Sequence, residues 1–222
     1  MKKIRTQAVK AIANAWKDEP DTLRWLKQAT TDDDSDVRRT AVQEIARGFK
    51  DYPESLAWVK QLASNDNWGL RCTAVRELVC NWKDDPDTLT WLKQVAAATD
   101  YNKHVRLQGA EELVRNWKNN SDILNTLKQL TTTDDDTDVR AIALQELAHN
   151  FKNDPDTLTI LKKATTDENE YVRAIALQEL ARNFKDNPDT LIIIKQATTD
   201  NDFNVRRKAE RWLKRLQQRN NK

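Results

Sequence analysis

Residues 37–50 read Val-Arg-Arg-Thr-Ala-Val-Gln-Glu-Ile-Ala-Arg-Gly-Phe-Lys. On a helical wheel Val37, Ala41, Val42, Ile45, Ala46 and Phe49 fill a continuous arc of about half the circle. Arg39, Gln43, Arg47 and Lys50 fill the opposite side. An apolar stripe this wide fits a helix packed on two or three neighbours.

The same phrase recurs along the chain. An aliphatic residue followed by Arg occurs at Ile4-Arg5, Val37-Arg38, Leu70-Arg71, Val105-Arg106, Val139-Arg140, Val172-Arg173 and Val205-Arg206, at spacings of 33, 33, 35, 34, 33 and 33. Four residues after the aliphatic stands Ala41, Ala74, Gly109, Ala143, Ala176 or Ala209, and eight after it Ile45, Leu78, Leu113, Leu147, Leu180 or Leu213. Twelve after it stands an aromatic: Trp16, Phe49, Trp82, Trp117, Phe151 or Phe184. A second helix joins each of these. In Lys83-Asp84-Asp85-Pro86-Asp87 an Asp precedes a Pro at a helix start, and Asp87 adds negative charge to the first turn. The pattern continues with Leu89, Trp91, Leu92 and Val95 on one face. We call the helix that starts at Pro helix A and the Val-Arg helix helix B. One leading B helix and six A–B pairs give about 13 helices. A single pair cannot bury its apolar face, so neighbours must stack, and the fold class is an all-α solenoid. The expected organisation is one array over 1–222: a B helix at 1–17, then repeats at 18–50, 51–83, 84–118, 119–152, 153–185 and 186–222.

Composition removes other classes. No apolar run reaches the ~18–20 residues of a membrane span, and no signal core follows Met1. With 3 Gly and no GxGxxG or GxxxxGK[ST] pattern, a phosphate-cradling loop is excluded. Two Cys and two His leave little for a disulfide scaffold or a metal site. Cys72 and Cys80 stand about 12 Å apart on one helix, beyond disulfide reach. They read as free thiols, and the His residues, His104 and His149, lie in other repeats. No cofactor and no catalytic residue is expected, and the location is expected to be cytoplasmic.

The period overlaps ankyrin and tetratricopeptide repeats, but neither motif is present. An Asp-rich turn, then Val-Arg, Ala at +4 and Leu at +8 resembles HEAT repeats over essentially the whole chain. The stretches AVQEIARGFKDYPESLAWVKQLA, NWKDDPDTLTWLKQ and ALQELARNFKDNPDTL resemble arrays of cyanobacteria that are often appended to NACHT-type ATPase domains. The resemblance implies a right-handed α-solenoid in which the B helices line the concave face and another protein is the partner. It also implies a ladder in which the motif Arg (Arg38, Arg71, Arg106, Arg140, Arg173, Arg206) bonds the Asp five residues before each aliphatic (Asp32, Asp100, Asp134, Asp167, Asp200; Asn65 in one unit). Trp25, Trp58 and Trp91 are followed by Thr126, Ile160 and Ile193 at one helix A position, which reads as core, as do the +12 aromatics. Trp68, Tyr101, Tyr171 and Phe203 stand in the A–B turns, as an interaction edge or as turn packing.

On helix B the positions two, six and ten after the aliphatic are expected to be exposed. They include Arg39, Gln43, Arg47, Arg76, Arg115, Gln145, His149, Gln178, Arg182 and Arg211, the expected partner-binding residues. Seven after the aliphatic comes Glu44, Glu77, Glu112, Glu146 or Glu179, placed for i,i+3 pairing on a solvated face. The net charge of +2 conceals +5 over residues 1–17, +7 over 205–222 and −10 between. Polar Glu210, Lys214 and Gln217 give the last helix the face of a terminal cap. The chain opens on a B helix, which fits a tolerated flank, fusion to a preceding domain, or docking on a partner. The leading function is a non-enzymatic protein-binding scaffold. Nucleic-acid binding, as in HEAT-like DNA glycosylases, is disfavoured by the acidic middle. Bilin attachment, as in HEAT-like phycobilin lyases, has no marked residue.

Overall fold

The computed structural model describes residues 2–97 and 102–220. Among them are thirteen helices and no strand: α1 (Lys2–Ala15), α2 (Thr22–Ala29), α3 (Ser35–Gly48), α4 (Pro53–Leu62), α5 (Trp68–Trp82), α6 (Pro86–Ala97), α7 (Lys103–Trp117), α8 (Ser121–Thr133), α9 (Thr137–Asn150), α10 (Pro155–Ala164), α11 (Glu170–Asn183), α12 (Pro188–Ala197) and α13 (Phe203–Asn220). Odd-numbered helices are the B helices and even-numbered ones the A helices. By compactness the chain divides into a first unit, Met1–Asn116, and a second, Trp117–Lys222. In the first unit α1 packs on α3 and α3 on α5, in the second α9 packs on α11 and α11 on α13, and the A helices pack on the B helices beside them. No helix among the described residues is long and apolar enough to cross a membrane.

The boundaries follow from the turns. Asp34 accepts hydrogen bonds from the backbone N–H groups of Asp36 and Val37 and so caps α3, as Asp136 caps α9 and Asn169 caps α11. Helices α4, α6, α10 and α12 begin at Pro, where the missing N–H costs nothing. Helix α2 departs from this expectation and begins at Thr22, two residues beyond Pro20. Asp21, before it, has helical dihedrals and makes no side-chain capping bond; the turn is closed instead by Thr22, whose N–H donates to the carbonyl of Glu19 and whose hydroxyl donates to that of Trp16. A buried Thr opens the helices that follow the aromatic turns: Thr157 and Thr190 donate to the carbonyls of Phe151 and Phe184, at 2.9 and 2.7 Å.

In the first unit Val37, Ala41, Ile45, Phe49, Val59, Leu70, Ala74 and Leu78 form one core, with Trp58, Trp82 and Trp91 packed against it. Gly109 replaces the usual Ala on α7, where an added Cβ would stand 3.3 Å from the backbone of Ala96 on α6. Two expected core aromatics are not buried: Trp16 and Trp25 are 51% and 43% exposed. Trp16 follows the end of α1, and α1 has described neighbours only in α2 and α3. In the second unit the Ala and Leu positions of α9, α11 and α13 form the core with Leu161 and Ile194 of the A helices.

Candidate functional site

The turn before each B helix is closed by the motif Arg, chiefly through backbone carbonyls. Arg38 donates to the carbonyls of Asp32 and Asp33 at 2.7 and 2.8 Å. Arg140 does so to Asp134 and Asp135, Arg173 to Asp167 and Glu168, and Arg206 to Asp200 and Asn201. Arg71 likewise reaches the carbonyls of Asn65 and Asp66. The Asp side chain instead bends its own turn: Asp134 Oδ1 accepts from the N–H of Asp136 at 2.9 Å, and Asp200 Oδ1 from that of Asp202 at 2.8 Å. Its carboxylate then meets the Arg of the preceding repeat, as Arg5–Asp32 at 3.1 Å, Arg140–Asp167 at 3.1 Å and Arg173–Asp200 at 2.8 Å. The bond to Arg173 holds the Asp200 carboxyl below its usual range. Asp100 lies outside the described residues. Arg106 is buried. Opposite Arg38 the next repeat carries Asn65, and a void of about 40 Å³ lined by Arg38, Arg39, Asn67, Gly69 and Leu70 lies at this joint. Arg38, Arg71, Arg140, Arg173 and Arg206 thus each bond two carbonyls of the turn that precedes their own B helix.

A second ladder, unanticipated in the sequence, runs along the A helices. Lys27 reaches Glu54 at 3.0 Å, Lys60 reaches Asp85 at 3.1 Å, and Lys128 reaches Asp154 and Asp156 at 2.8 and 2.7 Å. The Lys128 bond holds Asp154 below its ordinary value.

The B-helix glutamates overturn the expectation of a solvated face. Glu77, Glu112 and Glu179 are 1%, 2% and 0% exposed. Each is supplied with donors. Asn81, Asn116 and Asn183, one turn on, reach the respective carboxylates at 3.2, 3.1 and 2.8 Å. Arg47 lies 3.4 Å from Glu77, Arg115 lies 2.7 Å from Glu112, and His149 lies 3.2 Å from Glu179. Burial pushes the Glu44 carboxyl up, against the pull of Lys10 and Arg47. Arg47 and Arg115 therefore neutralise buried carboxylates while keeping an exposed flank, and His149 stands beside a third.

Across the B helices of the first unit runs a groove of about 790 Å³. Its lining is written by repeat position. From two after the aliphatic come Thr6, Arg39 and Cys72; from three after it Gln7, Thr40, Thr73 and Gln108; from six after it Gln43 and Arg76. Lys3, Asp36, Gly69 and Trp68 complete it. Trp68 is half exposed, its ring centroid 4.9 Å from that of His104 at a 33° tilt. Arg39 pairs with Asp36 at 3.1 Å, which fixes its guanidinium at the rim. Burial raises the Cys72 thiol, so it is held as the protonated form and is a poor nucleophile. The groove presents cations, amides and hydroxyls beside one aromatic wall, without a general base paired to a nucleophile.

Of the residues expected on the binding face, the structure brings Arg39, Gln43 and Arg76 together in this groove. Arg47 and Arg115 lie outside its lining, exposed, on the buried glutamates. In the second unit Gln145 and Gln178 are half-buried, and His149, Arg182 and Arg211 are exposed. There the position two after the aliphatic is exposed as expected at Arg207 of the last helix but not before it: Ala141 and Ala174 are 1% and 4% exposed. They pack against the next B helix, Ala174 with Val205 and Ala209. The three-after position was missed by the sequence reading. Its signal is the change from Gln7, Thr40, Thr73 and Gln108 to Ile142 and Ile175.

A family model described as HEAT repeats matches residues 2–68, 25–114, 55–148 and 124–214. Among solved structures the chain is similar to the E. coli protein YibA at 20% identity and a TM-score of 0.58, covering 90% of this chain and 72% of that one. It is also similar to the HEAT-like repeats protein of the archaeon Thermococcus onnurineus NA1 at 15% identity and a TM-score of 0.50, covering 98% and 97%. These likenesses concern the fold. No curated protein matches the chain.

Proposed function

Since the chain belongs to the HEAT-repeat family, we propose that it is a non-enzymatic protein-interaction module whose partner docks on the B-helix face. The groove of the first unit is the primary contact. The observation that carries this reading is the groove's lining. Lys3, Arg39 and Arg76 outnumber the one carboxylate, Asp36, and three Gln and three Thr side chains offer donors and acceptors to an extended backbone. Trp68 supplies the flat apolar wall that interface anchors use. The occupant is an extended segment with acidic side chains toward Arg39 and Arg76. Arg47 and Arg115 extend the contact beyond the groove within the first unit, and Gln145, His149, Gln178, Arg182 and Arg211 are the corresponding B-helix contacts of the second. The resemblance to arrays appended to NACHT-type ATPases fits a sensing arm of this kind.

Reversing Arg47 or Arg115 would be a poor test, because a new carboxylate would face buried Glu77 or Glu112. A cleaner one selects peptides from a random display library on the full chain. The selected peptides are expected to be acidic, to lose about tenfold or more in affinity for Arg39→Gln/Arg76→Gln, and to shield Cys72 but not Cys80 from alkylation. Peptides that bind the double variant equally and leave Cys72 labelling unchanged would refute the groove.

A further inference from the structure

Many basic side chains of the earlier helices are answered by acid. Arg5, Arg24, Lys27, Arg39, Arg47, Lys60, Arg115, Lys128, Arg140, Lys162 and Arg173 all stand within ion-pair distance of a carboxylate. Helix α13 breaks the pattern. It carries seven Lys/Arg and a single acid, Glu210. Arg207, Arg211, Lys214 and Arg215 are exposed and have no ion pair among the described residues. Phe203, Arg207, Arg211 and Lys214 fall within about 80° of one another on the helix and span about 17 Å along it. Successive cations there are about 6 and 4.5 Å apart in rise.

The stripe also carries a ring. Phe203 is 62% exposed, with the guanidinium carbons of Arg206 and Arg207 each 5.9 Å from its centroid. Beside the stripe Trp212 lies between Arg182 at 5.7 Å and Arg215 at 5.0 Å. Leu213 and Leu216 are turned into the core of the second unit with Ile194 and Val205. The free face therefore has one apolar side chain, which is too little to enter a bilayer. Uncompensated, Arg-rich charge with an exposed ring to stack on is the pattern of single-stranded nucleic-acid binding.

We propose that the outer face of α13 binds single-stranded nucleic acid, with phosphates on Arg207, Arg211 and Lys214 and a base stacked on Phe203. This surface is separate from the groove, and the reading does not rest on the proposed protein partner. The acidic middle of the chain does not bear on it, because the charge that matters is the local one.

The test uses the full chain and a fluorescein-labelled 12-nucleotide oligo-dT, read by anisotropy from low to moderate salt. Binding in the range of about 1–100 μM is expected, with a log–log salt slope near −2 from about three neutralised phosphates. Arg207→Gln/Arg211→Gln/Lys214→Gln should weaken it at least about tenfold, and Phe203→Ala about fivefold or more. Circular dichroism on both variants confirms folding. Heparin binding should fall in the triple variant and stay unchanged in Phe203→Ala. Absent oligonucleotide binding by the parent chain, or binding unaltered by the triple variant, would overturn the proposal. So would equal affinity for polyglutamate, which would mark an acidic-protein surface, or for phosphatidylserine vesicles. An unaffected Phe203→Ala would likewise reduce the face to a general polyanion site and sink the assignment.

Discussion

The two units use one repeat position in opposite ways. Two residues after the motif aliphatic, the first unit carries Thr6, Arg39 and Cys72, and these line an open groove. The second carries Ala141 and Ala174, sealed against the next B helix, and opens the position only on its last helix, at Arg207. One residue further on, Gln and Thr in the first unit give way to Ile142 and Ile175 in the second. The apolar frame is otherwise the same. Helix spacing on the binding face is thus set by side-chain size at two positions, and a cavity opens where both are large or polar.

The sharpest way to break this comparison is to exchange the deciding residue. Ala174→Arg should cost about 3 kcal/mol or more, because it overpacks a sealed contact and buries an unpaired charge. The reciprocal Arg39→Ala, at the rim of an open groove, should stay within about 0.5 kcal/mol. Equal costs in urea unfolding would show that the two faces do not differ in packing.

A smaller contrast lies in the turns. Arg140 is buried and joins two carbonyls of its own turn to Asp167 of the next. Arg140→Ala should cost about 3 kcal/mol by stranding those groups. Arg38 faces Asn65 and keeps its two carbonyl bonds alone, so Arg38→Ala should cost about 1 kcal/mol. If Arg140→Ala left unfolding unchanged but abolished ligand binding, the motif Arg would be a functional anion site and not a turn clasp.

The smallest effect is on pH. Asp200 and Asp154 have folded values held below the ordinary carboxylate value by Arg173 and Lys128. Their contribution is fully present above the unfolded value, near 4, and is lost as pH falls through the depressed folded value. In the first unit Asp85 behaves alike, where burial pushes it up but Lys60 more than offsets this. Stability should therefore hold from neutral pH to about 4 and drop below it. Asp200→Asn should lower the plateau by about 1 kcal/mol and flatten the drop. An unchanged acid limb would remove the ion pair from the account.

Most of the fold was legible because its signals repeat. Val-Arg, Ala at +4, Leu at +8 and Asp-Pro turns recur in phase, so each repeat corroborates the next. What escaped the reading was tertiary. Glu77, Glu112 and Glu179 look like surface residues because they are charged, and their burial depends on Asn residues one turn on and Arg residues from the same or the preceding repeat. The clasp by the motif Arg escaped because backbone carbonyls leave no mark in a sequence. The groove was half legible: Arg39, Gln43 and Arg76 come from exposed positions, whereas Gln7, Thr40, Thr73 and Gln108 stand at a position that is apolar elsewhere. Trp16 and Trp25 read as core by register and lie open because α1 has few neighbours.

The joint at Asn65 has a further bearing. In a stack whose cooperativity is carried by nearest-neighbour interfaces, the softest link decides where the array parts. At Asn65 the inter-repeat charge is missing and a small void accompanies it, between α3 and α5, the two helices that contribute most of the groove. Amide hydrogens flanking this joint should exchange ahead of those around Arg140 and Arg173. A ligand spanning α3 and α5 would then act as the missing rivet, and its binding would be read as raised cooperativity of the first unit's unfolding.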